Sequence, residues 1–159
     1  MRKSLFVGAL ALVVIATGLT VAFAHRQQQQ TITSPIAFRV VEHADSDTVT
    51  DNGTAGDSEG DLLTWHNPIY SAKNTKKIGH DQGECVRIDP ASGSWECRWI
   101  TWIAGQGGIT VEGPFYDTRD SVLAVTGGTG VFRNARGTML CHARNPGGTA
   151  YNFNFVLLP

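Results

Sequence analysis

Hydrophobic and polar residues alternate along much of the chain after residue 37. The alternation is clearest in four segments: 38–43, 63–70, 109–115 and 151–157. A period of two predicts β-strands, because successive side chains of a strand point to opposite faces of a sheet. Turn-forming residues delimit four more predicted strands: 78–88, 95–103, 121–126 and 136–144. No convincing amphipathic helix is predicted after the first 24 residues.

Eight short antiparallel strands in the last 120 or so residues predict an all-β fold, either a sandwich or a closed barrel. We favour an eight-stranded antiparallel β-barrel. A closed sheet has no free edges, and eight strands enclose an interior that holds side chains or one small ligand.

The N-terminus has the pattern of a targeting segment. Arg2 and Lys3 precede an apolar run from Leu5 to Ala24, which ends in small residues suited to signal peptidase. We therefore predict a signal peptide at 1–24, a flexible polar leader at 25–36 and the barrel at 37–159. The apolar run is also about long enough to remain as a membrane anchor. Both interpretations place the barrel outside the cytoplasm, secreted or extracytoplasmic, because the basic residues stay inside.

The charge of the chain is mildly negative. Fourteen acidic residues face 13 basic ones, and cleavage at residue 24 removes Arg2 and Lys3. A protein that follows a phosphate backbone carries a basic surface, so we do not expect nucleic-acid binding.

Three cysteines remain in the predicted barrel: Cys85, Cys97 and Cys141. A hairpin centred on Ala91 would place Cys85 opposite Cys97, so a cross-strand disulfide is one interpretation in an oxidising compartment. No Cys-x-x-Cys pair or His/Cys cluster has the spacing of a metal site. We therefore expect no metal and no cofactor.

Two other segments have patterns that could be mistaken for binding motifs. The glycine-rich stretch 123–130 resembles a dinucleotide-binding turn, but the 29 residues after it predict strand, turn and strand rather than a helix. We therefore interpret its glycines as a tight turn or bulge. The acidic segment 45–61 does not follow the twelve-residue calcium-loop pattern, so a solvated loop is favoured over a calcium site.

Glu42 is the most informative polar residue, because the alternation places it on the same face as Phe38 and Val40. An ionised carboxylate is costly to bury. Glu42 either reaches water at a strand end or lies in a hydrophobic cavity with a raised pKa. Asn67 is similar, since it shares a face with Leu63 and other apolar residues. It either closes the barrel end through a hydrogen bond or takes part in a site.

The remaining residues give weaker signals. Trp95 and Trp99 share one face of a predicted strand and Trp102 lies on the other, which fits wall packing or a stacking platform for an aromatic ligand. The histidines are scattered, and no serine has a nucleophile-elbow context. Ser/His/Asp hydrolysis therefore has no local support.

Three blocks of sequence resemble the allene oxide cyclases and the related dirigent proteins. The blocks are 60–70 (GDLLTWHNPIY), 76–86 (KKIGHDQGECV) and 111–137, which includes VEGPF and LAVTGGTGVF. The end of the third block, GVFRNARG, resembles dirigent proteins at least as strongly. The resemblance implies an eight-stranded barrel, and it allows a homotrimer because members of the family are often trimeric.

The resemblance also implies roles for particular residues. In the cyclases a carboxylate stabilises positive charge during ring opening of a fatty-acid epoxide, and an amide and a held water anchor the epoxide oxygen. By position, Glu42 corresponds to the carboxylate and Asn67 to the amide. Cys85 corresponds to a thiol lining the cavity, Trp65 to a wall residue that is usually Phe, and Phe115 to one that is usually Tyr. Leu63 and Val40, on the faces of Asn67 and Glu42, are expected to contact substrate.

This sequence departs from the cyclases at two places. Ala44 stands where the family has Asn, and the Ser-Pro that helps hold the water has no match in 45–51. We expect an isomerase-like barrel that steers stereoselective cyclisation of an apolar reactive intermediate. The alternatives are a dirigent-like guide that forms no bond itself, and a lipocalin-like ligand carrier.

Overall fold

The computed structural model describes residues 34–159, and the predicted signal peptide at 1–24 lies outside them. These residues form a single sheet of nine strands in which each neighbour is antiparallel. The strands are β1 (Ile36–His43), β2 (Thr48–Thr50), β3 (Leu62–Tyr70), β4 (Lys77–Asp89), β5 (Ser94–Ile103), β6 (Gly107–Tyr116), β7 (Ser121–Gly128), β8 (Gly137–Ala143) and β9 (Ala150–Leu157).

The sheet closes on itself through β1. This strand pairs with β9 along its whole length, and at its other edge Val41 and Glu42 lie opposite Tyr70 and Ile69 of β3. Strands β1 and β3 to β9 therefore form a closed eight-stranded antiparallel barrel, which confirms the fold predicted from the alternation. The short strand β2 was not predicted, and it pairs only with the start of β3. Three residues without apolar alternation are too few to give a sequence signal.

Side chains alternate between the barrel interior and its outer surface. On β5, Trp95, Cys97 and Trp99 are buried, whereas Trp102 is 40% exposed. The predicted division of the tryptophans between two faces is therefore confirmed. The core also holds apolar residues of β6 to β9, among them Val111, Leu123, Met139, Phe153 and Phe155.

The glycine-rich stretch ends β7 and enters a short 3₁₀ turn, Gly130–Phe132. Gly130 has a φ of +61°, and a Cβ there would overlap the carbonyl oxygen of Gln106. The antiparallel strand β8 follows, rather than the helix that a dinucleotide site requires. The interpretation of these glycines as a tight turn is confirmed.

The loops of the barrel divide between its two ends. The Glu42 end carries the segments 44–61, 90–93, 117–120 and 144–149, and the Phe132 end carries 71–76, 104–106 and 129–136. Among residues 34–159, no helix has the length and apolar character needed to cross a bilayer.

Cys85 and Cys97 lie directly opposite each other on β4 and β5 and form a disulfide, with a Cα–Cα distance of 4.0 Å. The cross-strand disulfide is therefore confirmed. The thiol expected at Cys85 from the family resemblance is wrong, because its sulfur is bonded to Cys97. Among the described cysteines only Cys141 is free, and it is buried.

We predict that reduction of this disulfide lowers the free energy of unfolding. The bridge closes a loop with a sequence separation of 12 residues, for which loss of chain entropy in the unfolded state gives about 3 kcal/mol. Urea unfolding of the oxidised and reduced wild-type protein measures the difference without changing any side chain. Equal midpoints in the two states would contradict the prediction.

Candidate active site

A cavity of about 290 Å³ opens at the Glu42 end of the barrel. Five of the residues expected at the site line it: Glu42, Leu63, Trp65, Cys85 and Phe115. Eight further residues complete the lining: Asp47, Val49, Trp95, Trp99, Asp117, Cys141, Tyr151 and Phe153. The structure thus brings most of the predicted site residues to one enclosed space.

Val40 does not line this cavity. It is buried at the wall of a second cavity, of about 740 Å³, together with Phe38 and Phe132. Residues two apart on a strand share a face but lie more than 6 Å apart along it. Both side chains point into the barrel, but Val40 lines the cavity at the Phe132 end and Glu42 the cavity at the Glu42 end. The expectation that Val40 lies beside Glu42 at the same site is therefore corrected.

Glu42 points into the barrel and is 4% exposed. The alternative that it reaches water at the strand end is therefore wrong. The Nδ2 atom of Asn67 donates a hydrogen bond of 2.6 Å to Glu42 Oε1. Barrel closure makes this contact, because it places β1 beside β3, with Glu42 diagonally across from Asn67.

Asn67 is completely buried and joins Glu42 to the segment that follows β1. Its Nδ2 also donates to Asp47 Oδ1 at 2.6 Å. Its Oδ1 accepts hydrogen bonds from the backbone N–H groups of Asp45 and Ser46 and from the Ser46 hydroxyl. Asn67 therefore closes the barrel end through hydrogen bonds and also holds the carboxyl group of Glu42.

Asp81 is an interior carboxyl group that the sequence analysis missed. It is 0% exposed, lies opposite Asn67 on β4, and its Oδ2 accepts a hydrogen bond of 2.9 Å from Trp65 Nε1. Its Oδ1 is buried with no hydrogen-bond partner. Asp81 and Cys85 are four residues apart on β4, so their side chains lie on the same face of the strand. This spacing could have placed Asp81 in the barrel interior from the sequence alone.

Burial determines the protonation of the interior carboxyl groups. Loss of water raises the pKa of Glu42 well above its ordinary 4.5, and the nearby charge of Asp81 raises it further. The hydrogen bond from Asn67 acts in the opposite direction, since it stabilises the ionised form. Burial also raises the pKa of Asp81 to about 7 and, to a smaller extent, that of Asp47. The interior pair therefore holds protons at pH values where surface carboxyls have lost theirs.

Of this pair Glu42 lines the cavity, so it can donate a hydrogen bond or a proton to an oxygen atom there. Glu42 Oε1 accepts the hydrogen bond from Asn67, whereas no described residue forms a hydrogen bond with Oε2. A carboxylic acid with a raised pKa is a suitable general acid near neutral pH. The arrangement therefore combines an acid group with an enclosed apolar space.

Six of the thirteen residues that line the cavity are aromatic. Trp65 meets Trp99 edge to face with ring centroids 5.6 Å apart, and Phe115 meets Tyr151 in the same way at 5.9 Å. Phe153 packs against Trp99 at 5.7 Å. These contacts fix the ring orientations, so the cavity has a defined shape.

An ion-pair network lies at the mouth of the cavity. Arg87 is buried, lies 3.9 Å above the ring of Trp95, and pairs with Asp57 and Asp117 at 2.7 Å each. Trp95 Nε1 donates to Asp117 as well. The network ties the segment 51–61 to the rest of the barrel end.

The acidic segment 45–61 is held by hydrogen bonds of its own side chains. Asp61 accepts hydrogen bonds from the backbone N–H groups of Asn52 and Ser58. Within residues 34–159, no three His, Cys, Asp or Glu side chains are grouped to hold a metal ion. The calcium-site interpretation therefore gains no support from this segment.

We predict that Asp81→Asn changes the pH dependence of stability. The folded pKa of about 7 exceeds the ordinary 3.8. The contribution of Asp81 to the free energy of unfolding is therefore complete below pH 4. It is lost as pH rises toward 7, by up to about 1.4 kcal/mol per pH unit. Asparagine keeps an acceptor for Trp65 and does not titrate. The variant should therefore become more stable relative to wild type as pH rises over this interval.

Urea unfolding at several pH values between 4 and 8 measures this difference. Glu96→Gln, which removes an exposed carboxyl from β5, is the control and should follow the wild-type curve. Parallel curves for wild type and Asp81→Asn would show that Asp81 does not titrate in this range.

The allene oxide cyclase family model matches residues 27–145. Similar solved structures include "Pyocyanin demethylase", with a TM-score of 0.64 and 21% identity over 76% of this chain and 99% of that one. The pterocarpan synthase dirigent protein PsPTS1 has a TM-score of 0.68 and 15% identity, covering 79% and 96% of the two chains. The Diels Alderase AbmU from Streptomyces koyangensis has a TM-score of 0.61 and 14% identity, covering 79% of this chain and 68% of that one.

At these identities the solved structures show the shared fold, and the family match spans most of the chain. Its matched residues include Glu42, Asn67, Asp81 and most of the cavity wall. The chain belongs to the allene oxide cyclase family.

Proposed function

We propose that this barrel binds a reactive, apolar small molecule in the Glu42-end cavity and steers its cyclisation or isomerisation toward one stereoisomer. The observation that carries the proposal is the carboxyl group of Glu42, held by Asn67 at the wall of an aromatic cavity. A buried acid group is costly, and such groups cluster where they do chemistry. The Diels Alderase among the similar structures adds support for a reaction within this fold.

The first contribution of the cavity is conformational. A flexible intermediate in solution reacts from many shapes, whereas a bound one is restricted to those that fit the wall. The crossed contacts of Trp65 with Trp99 and of Phe115 with Tyr151 make that wall asymmetric. One folded form of the ligand is therefore favoured, and ring closure from it has one handedness.

The second contribution is electrostatic. In its protonated form Glu42 donates a hydrogen bond to an oxygen of the ligand as a carbon–oxygen bond lengthens and negative charge develops there. If the proton moves to that oxygen, the remaining carboxylate lies beside the positive charge on carbon, and the proton returns when the ring closes. A fixed dipole in a site shielded from water stabilises such charge separation more than water does.

A dirigent-like guide is the second candidate, because the fold is shared with the dirigent protein PsPTS1. In this function the wall alone would select the product, and Glu42 would have no catalytic part. A ligand carrier without chemistry is the third. A cyclase changes both the rate of closure and the handedness of the product. A guide changes only the handedness, and a carrier changes neither.

We predict that Glu42→Gln loses rate and keeps the fold, because glutamine retains an acceptor for Asn67 and cannot donate a proton. A fatty-acid allene oxide and a quinone methide, each generated in situ, are the test intermediates, with chiral chromatography and stopped-flow absorbance as the measurements. Glu96→Gln, the same substitution on the outer face, is the matched control. The wild-type acceleration should fall as pH rises through the Glu42 pKa, since the acid form is lost.

The outcomes separate the candidates. Faster closure with an enantiomeric excess, both reduced in Glu42→Gln, supports the cyclase. An excess without acceleration supports the guide, and racemic product with tight binding supports the carrier. Unchanged turnover in Glu42→Gln would remove Glu42 from the mechanism.

We also propose that the barrel acts outside the cytoplasm, secreted or held by an uncleaved anchor. The basic and apolar N-terminal pattern supports this, and so does the Cys85–Cys97 disulfide, since structural disulfides form in oxidising compartments. N-terminal sequencing of the exported protein should begin at His25. Recovery of the full-length chain from the cytoplasm would contradict the proposal.

A further inference from the structure

The cavity at the Glu42 end has a one-sided distribution of charge. Three of its lining residues carry carboxyl groups, Glu42, Asp47 and Asp117, and none of the described Lys, Arg or His side chains lines it. Asp81, which neighbours Glu42, adds a fourth carboxyl behind the wall. A ligand that carries its own carboxylate would meet acidic groups and no basic partner in this space.

The groups that face Glu42 are also acidic or neutral on every side. They are Asp45 and Asp47 from the segment after β1, Asp81 on β4, Cys141 on β8 and Tyr151 on β9. Arg87, at the mouth of the cavity, is already paired with Asp57 and Asp117. The described residues thus offer no unpaired basic group among those that face Glu42.

The walls of the cavity suit a flat ring system. Six aromatic side chains line it: Trp65, Trp95, Trp99, Phe115, Tyr151 and Phe153. Aromatic faces attract cations through their quadrupole, and the attraction is larger where water is excluded. The volume of about 290 Å³ is at the lower end of the range for small-molecule pockets, so the ligand is compact.

We propose that the intermediate held in this cavity is compact, flat and aromatic and carries positive charge delocalised over its rings after the proton of Glu42 has moved to its oxygen, rather than being a fatty acid or another anion. This inference rests on the proposed function and narrows its substrate class. The aromatic walls contact the faces of the rings, and Glu42 and Asp47 balance the charge.

Proton linkage gives the proposal a specific signature. Burial and the nearby charge of Asp81 raise the pKa of Glu42, whereas a bound cation favours its ionised form and so displaces the proton. Binding of a cation should therefore release protons at pH values where Glu42 is protonated in the free protein, and it should become tighter as pH rises. A neutral ligand of the same shape should show neither effect.

Isothermal titration calorimetry with three matched probes tests this: N-methylquinolinium as the cation, 1-methylnaphthalene as the neutral form and 1-naphthoate as the anion. We expect the cation to bind about tenfold more tightly than the neutral probe, which is the upper part of the range for cation–aromatic attraction. The anion should bind most weakly. Repeating the titrations in buffers of different ionisation enthalpy measures the protons released.

Variants then assign the effect to the acidic groups. Glu42→Gln and, independently, Asp47→Asn should reduce the preference for the cation, and Glu42→Gln should also reduce proton release. Glu96→Gln is the control and should match wild type. If one variant does not fold, the other still tests the assignment. If both variants kept the wild-type preference for the cation, the role of these carboxyls would be overturned.

Equal binding of the three probes, tighter binding of 1-naphthoate, or no binding of any probe would overturn the proposal. The proposed function is tested separately, because these probes do not react. A one-handed product together with equal probe binding overturns only the charge preference. Racemic product together with an intact preference overturns only the proposed function.

Discussion

The hydrogen bond from Asn67 to Glu42 is the interaction on which the rest of the site depends. Glu42 belongs to β1 and Asn67 to β3, and the two meet only because the sheet closes. The same Nδ2 atom of Asn67 also donates to Asp47, and its Oδ1 accepts from the backbone N–H groups of residues 45 and 46. One amide therefore fixes the acid group, the barrel end and the mouth of the cavity together.

Packed aromatic residues and a disulfide surround this buried acid group. Aromatic residues pack on one another around the cavity, and the Cys85–Cys97 bridge ties two adjacent strands beside it. Burial costs stability when the carboxyls ionise, and the fold limits that cost by keeping protons on Glu42 and Asp81. In the proposed function, the proton on Glu42 is the one donated to the ligand.

The sequence predicts the barrel well because strand alternation is a local signal. Four of the eight barrel strands follow from it, and the turn residues between them delimit the other four. Alternation also places Glu42 and Asn67 on apolar faces, but it leaves open whether Glu42 reaches water. Hairpin symmetry offers the pairing of Cys85 with Cys97 as one interpretation. The contacts of Asn67 with the segment 45–47 could not be predicted, since they depend on closure between distant strands. Val40 was assigned to the wrong end because alternation gives a residue's face and not its depth. Asp81 was detectable by parity, but its burial without a balancing cation requires the three-dimensional structure.

The most direct test of this account is the protonation of Glu42 itself. The chain has five glutamates, and 13C NMR of the glutamate side-chain carboxyls measures the titration of each. The account predicts one resonance with a midpoint well above 4.5, which is absent in Glu42→Gln. If every glutamate titrated near its ordinary value, Glu42 would be a solvated carboxylate, and the buried acid group on which the site is built would not exist.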